Sequence, residues 1–292
     1  MKPSHFAYHR PRSVEEAVDL LAELGDEAKV LAGGQSLIPM MNLRLAQPET
    51  LVDIAGIRGL DRMTRSDGRL AVGAATRHQA LASYPVSDGT LDALREAAGH
   101  IGHLPIRTRG TFGGSLAHAD PTAEWCVLAL ALDAEVIAVS REGPRTVPVD
   151  GFFLGPFQTS LDDGELLVET RLRRAHGAAL QEHAPRHGDF ASVVVAAALD
   201  LDDGTMSHPR IALGGVAGTP VRSEGAERIL AGAAPTAGCF REAAAAAAQG
   251  TDPPADAAAT ATHRRRLVKG LTEAALQRAV ARASRQRQGG RA

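Results

Sequence analysis

Cysteine, aromatic side chains, an excess of either charge and long apolar runs are all scarce in this sequence, and each shortage removes a class of function. Only two of its 292 residues are cysteines, Cys126 and Cys239, so no Cys-x-x-Cys pair exists to hold zinc or an iron–sulfur cluster, and at most one disulfide can form. The chain carries no cluster of its own. Aromatic residues make up 3% of it, which leaves too few rings for a stacked cofactor box. A planar ligand must be held mostly by backbone and small side chains. The 32 basic and 34 acidic residues leave a net charge of -2, which provides no field for nucleic acid or an anionic membrane. The longest wholly apolar run, Trp125 to Leu132, is far shorter than the roughly 20 residues of a membrane-spanning helix, and the N-terminal residues hold no apolar signal core. A cytoplasmic protein without a transmembrane segment is expected.

Familiar nucleotide and catalytic patterns are missing too. No two glycines are separated by a single residue, which rules out Gly-x-Gly-x-x-Gly, and no Gly-Lys-Ser/Thr exists for a P-loop. No Gly-x-Ser-x-Gly elbow appears. His100 and His103 have the spacing of a metal pair, but no His-Glu-x-x-His surrounds them and no acidic third ligand is evident, so a helix-end or loop role is expected. No metal site and no catalytic residue is assigned. What remains, 44% hydrophobic and 23% charged residues, is enough to bury the core of more than one domain.

Ser13 stands three residues before Glu16, and Val14, Val18, Leu21 and Leu24 recur at helical spacing up to Gly25, which predicts a helix. Lys29 to Ala32 reads as a strand running into Gly33-Gly34-Gln35-Ser36 and a short helix through Met40 and Met41 toward Arg44. Strands are expected at Leu51–Ile54 and Arg69–Ala74, then helices near Gln79–Ser83 and Leu91–His100. From Gly102 to Pro121 no periodicity holds, which predicts a long ordered loop. A helix at Trp125–Leu132 and strands at Ala134–Ser140, Thr146–Val149 and Glu165–Leu172 follow. Beyond about residue 175 come strands at Ser192–Asp200 and Pro209–Val216, then helices at Glu224–Leu230, Phe240–Gln249 and His263–Ala283, which together suggest a separate α+β domain. Residues 250–259 read as a flexible connection and 286–292 as a disordered tail. The basic run His263-Arg264-Arg265-Arg266 suits a solvated face or a subunit contact, with phosphate binding as the sharper alternative.

Two segments carry chemistry. In Ala32-Gly33-Gly34-Gln35-Ser36, consecutive glycines let the backbone approach a pyrophosphate, with N–H groups and the Ser36 hydroxyl as donors; an isolated Gly-Gly is more often a plain turn. Thr111-Phe112-Gly113-Gly114-Ser115 repeats the pattern, and Asp120 and Glu124 follow as carboxylates able to bind sugar hydroxyls. Two such loops in one domain point to a dinucleotide more strongly than either alone.

Taken together, AGGQSLIPMMNLRLAQPETLVDI and IRTRGTFGGSLAHADPTAE resemble the FAD-binding medium subunit of the xanthine dehydrogenase and aerobic carbon monoxide dehydrogenase family of molybdenum hydroxylases. Phe152 to Phe157, Gly188 to Ala191, Ala212 to Val216 and Thr219 to Arg222 look like family signatures in family order, so the resemblance covers nearly the whole chain. It implies an α+β fold: an FAD-binding domain of the vanillyl-alcohol-oxidase type over 1–175, in subdomains of about 1–57 and 58–175, then a C-terminal α+β flavoprotein domain over 176–285. By the same resemblance Val30, Leu31, Ala32, Gly33, Gly34, Gln35, Ser36 and Leu37 wrap the pyrophosphate on one side, with Thr111, Phe112, Gly113, Gly114 and Ser115 on the other. Glu124 matches an FAD-binding aspartate, Leu167 a leucine packing near the flavin ring, and Phe190 an aromatic position beside it. Ser115 replaces an asparagine of several relatives, and Gln181-Glu182-His183-Ala184 lacks a lysine that relatives often carry.

The implied function is electron transfer within a complex. A large subunit with molybdopterin oxidises substrate, a small subunit passes electrons through two 2Fe–2S clusters, and FAD on this chain delivers them to an external acceptor, in what the resemblance implies is a dimer of heterotrimers. Two other readings remain: a stand-alone FAD-dependent oxidase and a flavin-free assembly subunit.

Overall fold

The structure is a computed structural model and describes residues 2–256 and 259–289. Among the described residues, three larger sheets follow one another along the chain, with a two-stranded fourth beside the second, and three buried apolar clusters hold them together. The first is small and parallel. It is built from β1 (Ala7–His9), α1 (Val14–Leu24), β2 (Ala28–Leu31), α2 (Leu37–Asn42) and β3 (Thr50–Asp53), in the strand order β1-β3-β2. The Ser13 hydroxyl caps α1 by accepting from Glu16 N–H at 3.2 Å, while the Glu16 carboxylate reaches back to Arg12 N–H at 2.7 Å. Ala17, Val18 and Leu21 then bury one stripe of the helix against Val52 and Ile54.

The second layer comprises β4 (Met63–Ser66), β5 (Arg69–Gly73), α3 (His78–Ala82), α4 (Gly89–His100), α5 (Leu104–Arg107), α6 (Phe112–His118), α7 (Glu124–Ala131), β6 (Glu135–Ser140), β7 (Gly143–Pro148), β8 (Phe153–Gly155), β9 (Gln158–Thr159) and β10 (Leu166–Arg173). Its main sheet is antiparallel, in the order β4-β5-β10-β6-β7, and β8 pairs with β9 alone. Trp125 to Ala131 on α7 are all buried, which explains why this stretch is apolar all round rather than striped. The expected loop at 102–121 is corrected: it holds α5 and α6. Neither helix reaches two full turns, too short for a periodicity to show, and α6 carries two glycines in its first turn, each costing about 1 kcal/mol in a helix. Phe112 and Leu116, both fully buried, hold it in place.

The third layer is an antiparallel meander, β11 (Gly177–His183), β12 (Val193–Asp202), β13 (Thr205–Gly214) and β14 (Val221–Arg222), covered by α8 (Glu224–Leu230), α9 (Ala237–Gln249) and α10 (Ala261–Gly289). A side chain at Gly177 would overlap the Ala279 carbonyl oxygen, so α10 packs directly on the β11 backbone. Residues 286–289, expected in a disordered tail, continue α10, and Gln286 accepts from Gly89 N–H at 3.3 Å at the start of α4. Residues 290–292 of that tail, and Ala257 and Ala258 of the expected connection, lie outside the described residues. Part of the basic run is internal rather than solvated. The Arg264 guanidinium is 4% exposed and donates to the carbonyls of Ser192 and Gly215, and Arg265 pairs with Asp252 at 2.7 Å. Cys126 and Cys239 are both free thiols. Among the described residues no helix is long and apolar enough to cross a membrane.

Candidate cofactor-binding site

Past the end of β2 the chain turns at Gly33 and Gly34, with Gly34 in the left-handed region at φ 72°, where a Cβ is costly. Among the described residues, the backbone N–H groups of Gly33, Gly34, Gln35, Ser36 and Leu37 meet no hydrogen-bond acceptor. The carbonyls of Gly34 and Ser36 are already taken by Ile38 and Met40 N–H, both at 3.1 Å, and the Ser36 hydroxyl makes no capping bond. Five successive unpaired donors on a half-buried turn form a cradle for an anion.

The second loop is built the other way. Its N–H groups are spent inside the protein: Phe112 donates to Thr76 O at 2.9 Å, Gly113 to Ala74 O at 3.0 Å and Ser115 to Thr111 O at 3.1 Å. Gly114 donates to the Thr111 hydroxyl at 3.1 Å. The expectation that both loops offer backbone donors is therefore corrected, because capping α6 and joining it to the end of β5 consumes the second set. What this loop has left to offer is hydroxyl groups. Its glycines serve close packing: a Cβ on Gly113 would stand 2.6 Å from Ala74 Cα, and one on Gly114 2.6 Å from the Thr111 hydroxyl. The two loops touch, since a Cβ on Gly33 would overlap the Arg109 carbonyl oxygen and lie 2.6 Å from Gly110 Cα. Thr111→Ala is expected to cost about 1 kcal/mol of stability in urea unfolding, with Thr111→Ser restoring most of it.

Three supporting residues carry no signal that sequence reading picked up. The Arg77 guanidinium donates to Arg109 O, clamping the second loop. Burial, then the nearby Arg109 charge, lowers the Arg77 pKa, against the Asp53 and Asp61 carboxylates that raise it. The buried Trp125 indole donates to His78 Nδ1 at 3.0 Å, which fixes the proton of the neutral imidazole on Nε2, the atom facing Gly110. Burial first, then Arg77 and Arg107, hold His78 down at about 4. The unfolded chain takes up this proton near 6.5, so stability falls as pH drops from 6.5 toward 4, by about 3 kcal/mol in all. Urea unfolding of the protein and of His78→Asn at pH 7 and pH 4.5 checks this: the protein should lose markedly more than the variant.

Of the remaining expected site residues, Asp120, Glu124 and Phe190 lie around the C-terminal end of α6. Asp120 Oδ1 accepts from both the amide and the hydroxyl of Thr122, at 2.8 and 2.7 Å, and so shapes the turn into α7. Glu124 opens α7, and burial, with the Glu182 carboxylate next in effect, pushes it up to about 8, so it is protonated at neutral pH. Phe190 is 77% exposed and, with Pro121, Thr122, Pro156 and Gly218, lines a cleft of about 630 Å³. Leu167 lies apart, buried in the core of the second layer beside the register shift between Leu167 and Glu169. Val30, Leu31 and Ala32 lead into the cradle half-buried, whereas Phe112 is wholly internal and offers only backbone.

Residues 4–172 match the family described as the FAD binding domain in molybdopterin dehydrogenase, and residues 178–279 the CO dehydrogenase flavoprotein C-terminal domain. The chain is 42% identical to the 6-hydroxypseudooxynicotine dehydrogenase complex subunit alpha of Paenarthrobacter nicotinovorans, over 97% of each chain. It is 40% identical to the carbon monoxide dehydrogenase medium chain of Hydrogenophaga pseudoflava, over 97% of this chain and 99% of that one. The solved carbon monoxide dehydrogenase of Hydrogenophaga pseudoflava, which lacks the Mo-pyranopterin moiety, superposes with a TM-score of 0.92 at 41% identity, covering 97% of this chain and 99% of that chain. Quinoline 2-oxidoreductase of Pseudomonas putida 86 does so with a TM-score of 0.91 at 34% identity, with the same coverage. With both domain families matched in order and relatives aligned almost end to end, the chain belongs to the FAD-binding medium subunits of the xanthine dehydrogenase and carbon monoxide dehydrogenase family of molybdenum hydroxylases.

Proposed function

We propose that this chain holds FAD with its pyrophosphate on the N–H row of residues 33–37, and carries electrons from 2Fe–2S clusters on a small partner subunit to an external acceptor. The row of five unpaired amides carries the reading, because a doubly charged group with several oxygens is what such a row satisfies. Val30 to Ala32 and Leu37 flank the pyrophosphate, and Thr111 to Ser115 close the other side through hydroxyl groups. In this reading Asp120 and Glu124 take the sugar hydroxyls and the exposed Phe190 meets the ring, with Leu167 backing the ring from the core of the second layer. Bound FAD supplies the redox chemistry, and the protein supplies position and electrostatics. The cradle amides orient the cofactor, Arg77 and Arg109 balance its charge, and the packed α6 keeps the site from opening.

A large molybdopterin subunit is the proposed source of the electrons, in a dimer of heterotrimers. Support comes from the relatives, which are themselves described as a medium chain and as a subunit of a dehydrogenase complex. The proposed division is an FAD-binding domain over residues 1–175, in subdomains of about 1–57 and 58–175, followed by a flavoprotein domain over 176–285. The test is direct: purified chain should be yellow and release about one FAD per chain on denaturation, the stoichiometry of a single cradle. Colourless protein that ignores added FAD overturns the reading in favour of an assembly subunit, and turnover of a small substrate by the isolated chain overturns it in favour of a stand-alone oxidase.

A further inference from the structure

Between α4 and the C-terminal half of α10 lies a cavity of about 580 Å³ whose walls carry four guanidiniums and two carboxylates, on elements that take no part in the cradle at residues 33–37. Asp92 and Arg95 answer each other. Asp92 Oδ1 accepts from Arg95 Nη1 at 2.8 Å and from the Ser87 hydroxyl at 2.7 Å, and Arg95 Nη2 donates to the carbonyls of Tyr84 and Val86 at 2.8 and 2.9 Å. That leaves Glu96 facing Arg278, Arg282 and Arg285. Glu96 Oε1 meets Gln181 Nε2 and Arg278 Nε, each at 2.9 Å; Oε2 meets Leu180 N–H at 3.1 Å and Arg282 Nη1 at 2.9 Å. Four partners fill its lone-pair positions, and its single charge cancels one guanidinium of three. Two positive charges remain in the cavity.

The helix alone gives no reason to keep them there. Arg278, Arg282 and Arg285 stand at i, i+4 and i+7 on one face of α10, a spacing at which like charges repel. Their donors are mostly unused. Among the described residues Arg285 makes no hydrogen bond or ion pair, Arg278 engages only Nε, and Arg282 only Nη1, which is shared between Glu96 and the Ala178 carbonyl at 2.7 Å. Arg282 is 8% exposed, so Glu96 and Ala178 hold its guanidinium in place with the other N–H groups free. We propose that this cavity is an anion site that takes a phosphate dianion, free or as the monoester of a small molecule. Planar guanidinium forks pair two donors at a time with phosphate oxygens, and two uncancelled charges match a dianion. No aromatic side chain lines the cavity, so charge and fork geometry select the ligand rather than stacking. Glu96 is a positioning residue here, setting the forks of Arg278 and Arg282 without touching the anion. Bound phosphate relieves the repulsion along α10 and fastens that helix to α4.

Calorimetric titration of the FAD-loaded full chain with sodium phosphate tests this, at constant ionic strength and about pH 8, where the dianion prevails. One saturable site is expected. Arg285→Gln breaks no contact within the fold and should weaken phosphate binding by about tenfold, and Arg278→Gln combined with Arg285→Gln by about 100-fold or more. Gly33→Ala, whose cradle is displaced, should bind phosphate here as the wild type does, so the outcome stands whether or not the chain holds FAD. Absence of a saturable site in the wild type, undiminished affinity in the double variant, or equally tight binding of succinate overturns the assignment. Tighter binding of glycerol 3-phosphate than of inorganic phosphate supports it with the monoester as ligand, and equal binding supports it with the free ion.

Discussion

A chain carrying Gly33→Ala is expected to emerge from purification without flavin. The added methyl group would overlap the Arg109 carbonyl oxygen and stand 2.6 Å from Gly110 Cα, both backbone atoms, so no side-chain rotation relieves it. The second loop cannot retreat: Arg109 O receives the Arg77 guanidinium, Gly110 O receives His78 N–H at 3.1 Å, and His78 is held from behind by Trp125. The first loop must move instead, which displaces the five unpaired N–H groups of the proposed pyrophosphate site. Overpacking of this kind costs about 1–3 kcal/mol of stability, and the lost alignment should weaken FAD binding by roughly 100-fold or more, about 3 kcal/mol. Gly99→Ala is the matched control, since its methyl group would meet nothing within 4 Å on the surface of α4. Titration of flavin-stripped protein with FAD compares them. Wild-type affinity in Gly33→Ala would mean that the contact between the loops does not position the cradle.

That prediction differs from the one sequence alone suggests, and the difference shows what was legible. The pair Gly33-Gly34 announces a turn, and among the described residues the amides that follow it are unpaired, which is what the proposed pyrophosphate site rests on. Nothing in Thr111-Phe112-Gly113-Gly114-Ser115 distinguishes a loop that offers its amides from one that spends them on a helix cap, because that depends on Ala74 and Thr76 arriving from β5. Arg77, His78 and Trp125 were illegible for a related reason: a buried histidine and a tryptophan nearly fifty positions away become a pair only when α7 is folded against α3. At the level of fold, capped and striped α1 was readable, as was the apolar run that becomes α7. Strand β11 was not, for Gly-Ala-Ala has little intrinsic preference for a strand and is kept extended by its neighbours β12 and α10.

The second large effect is expected far from the cradle, at Glu96. From the middle of α4 its carboxylate, 8% exposed, accepts from Leu180 N–H at 3.1 Å, and from Gln181 Nε2, Arg278 Nε and Arg282 Nη1, each at 2.9 Å. Arg282 is equally buried, and its other hydrogen bond goes to Ala178 O at 2.7 Å, so Glu96 is the carboxylate that neutralises it. Glu96→Ala therefore strips four donors at once and leaves an uncompensated guanidinium between α4 and α10, at an expected cost of about 3–5 kcal/mol in chemical unfolding. Because the buried charge rather than the lost contact dominates that cost, Arg282→Leu added to Glu96→Ala should recover a substantial part of it, and Glu96→Gln, which keeps an acceptor, should cost less than Glu96→Ala. An additive double variant would sink this account. The position of Glu96 gives the effect a functional edge. Gln181, which stands in the segment where relatives often carry a lysine, is held by Glu96, and Glu182 and His100 are its neighbours on β11 and α4. Loosening α4 from β11 should therefore disturb the Glu182 to His100 contact before the cradle at residues 33–37, which lies on other elements, so Glu96→Ala is expected to lose stability while FAD is still retained.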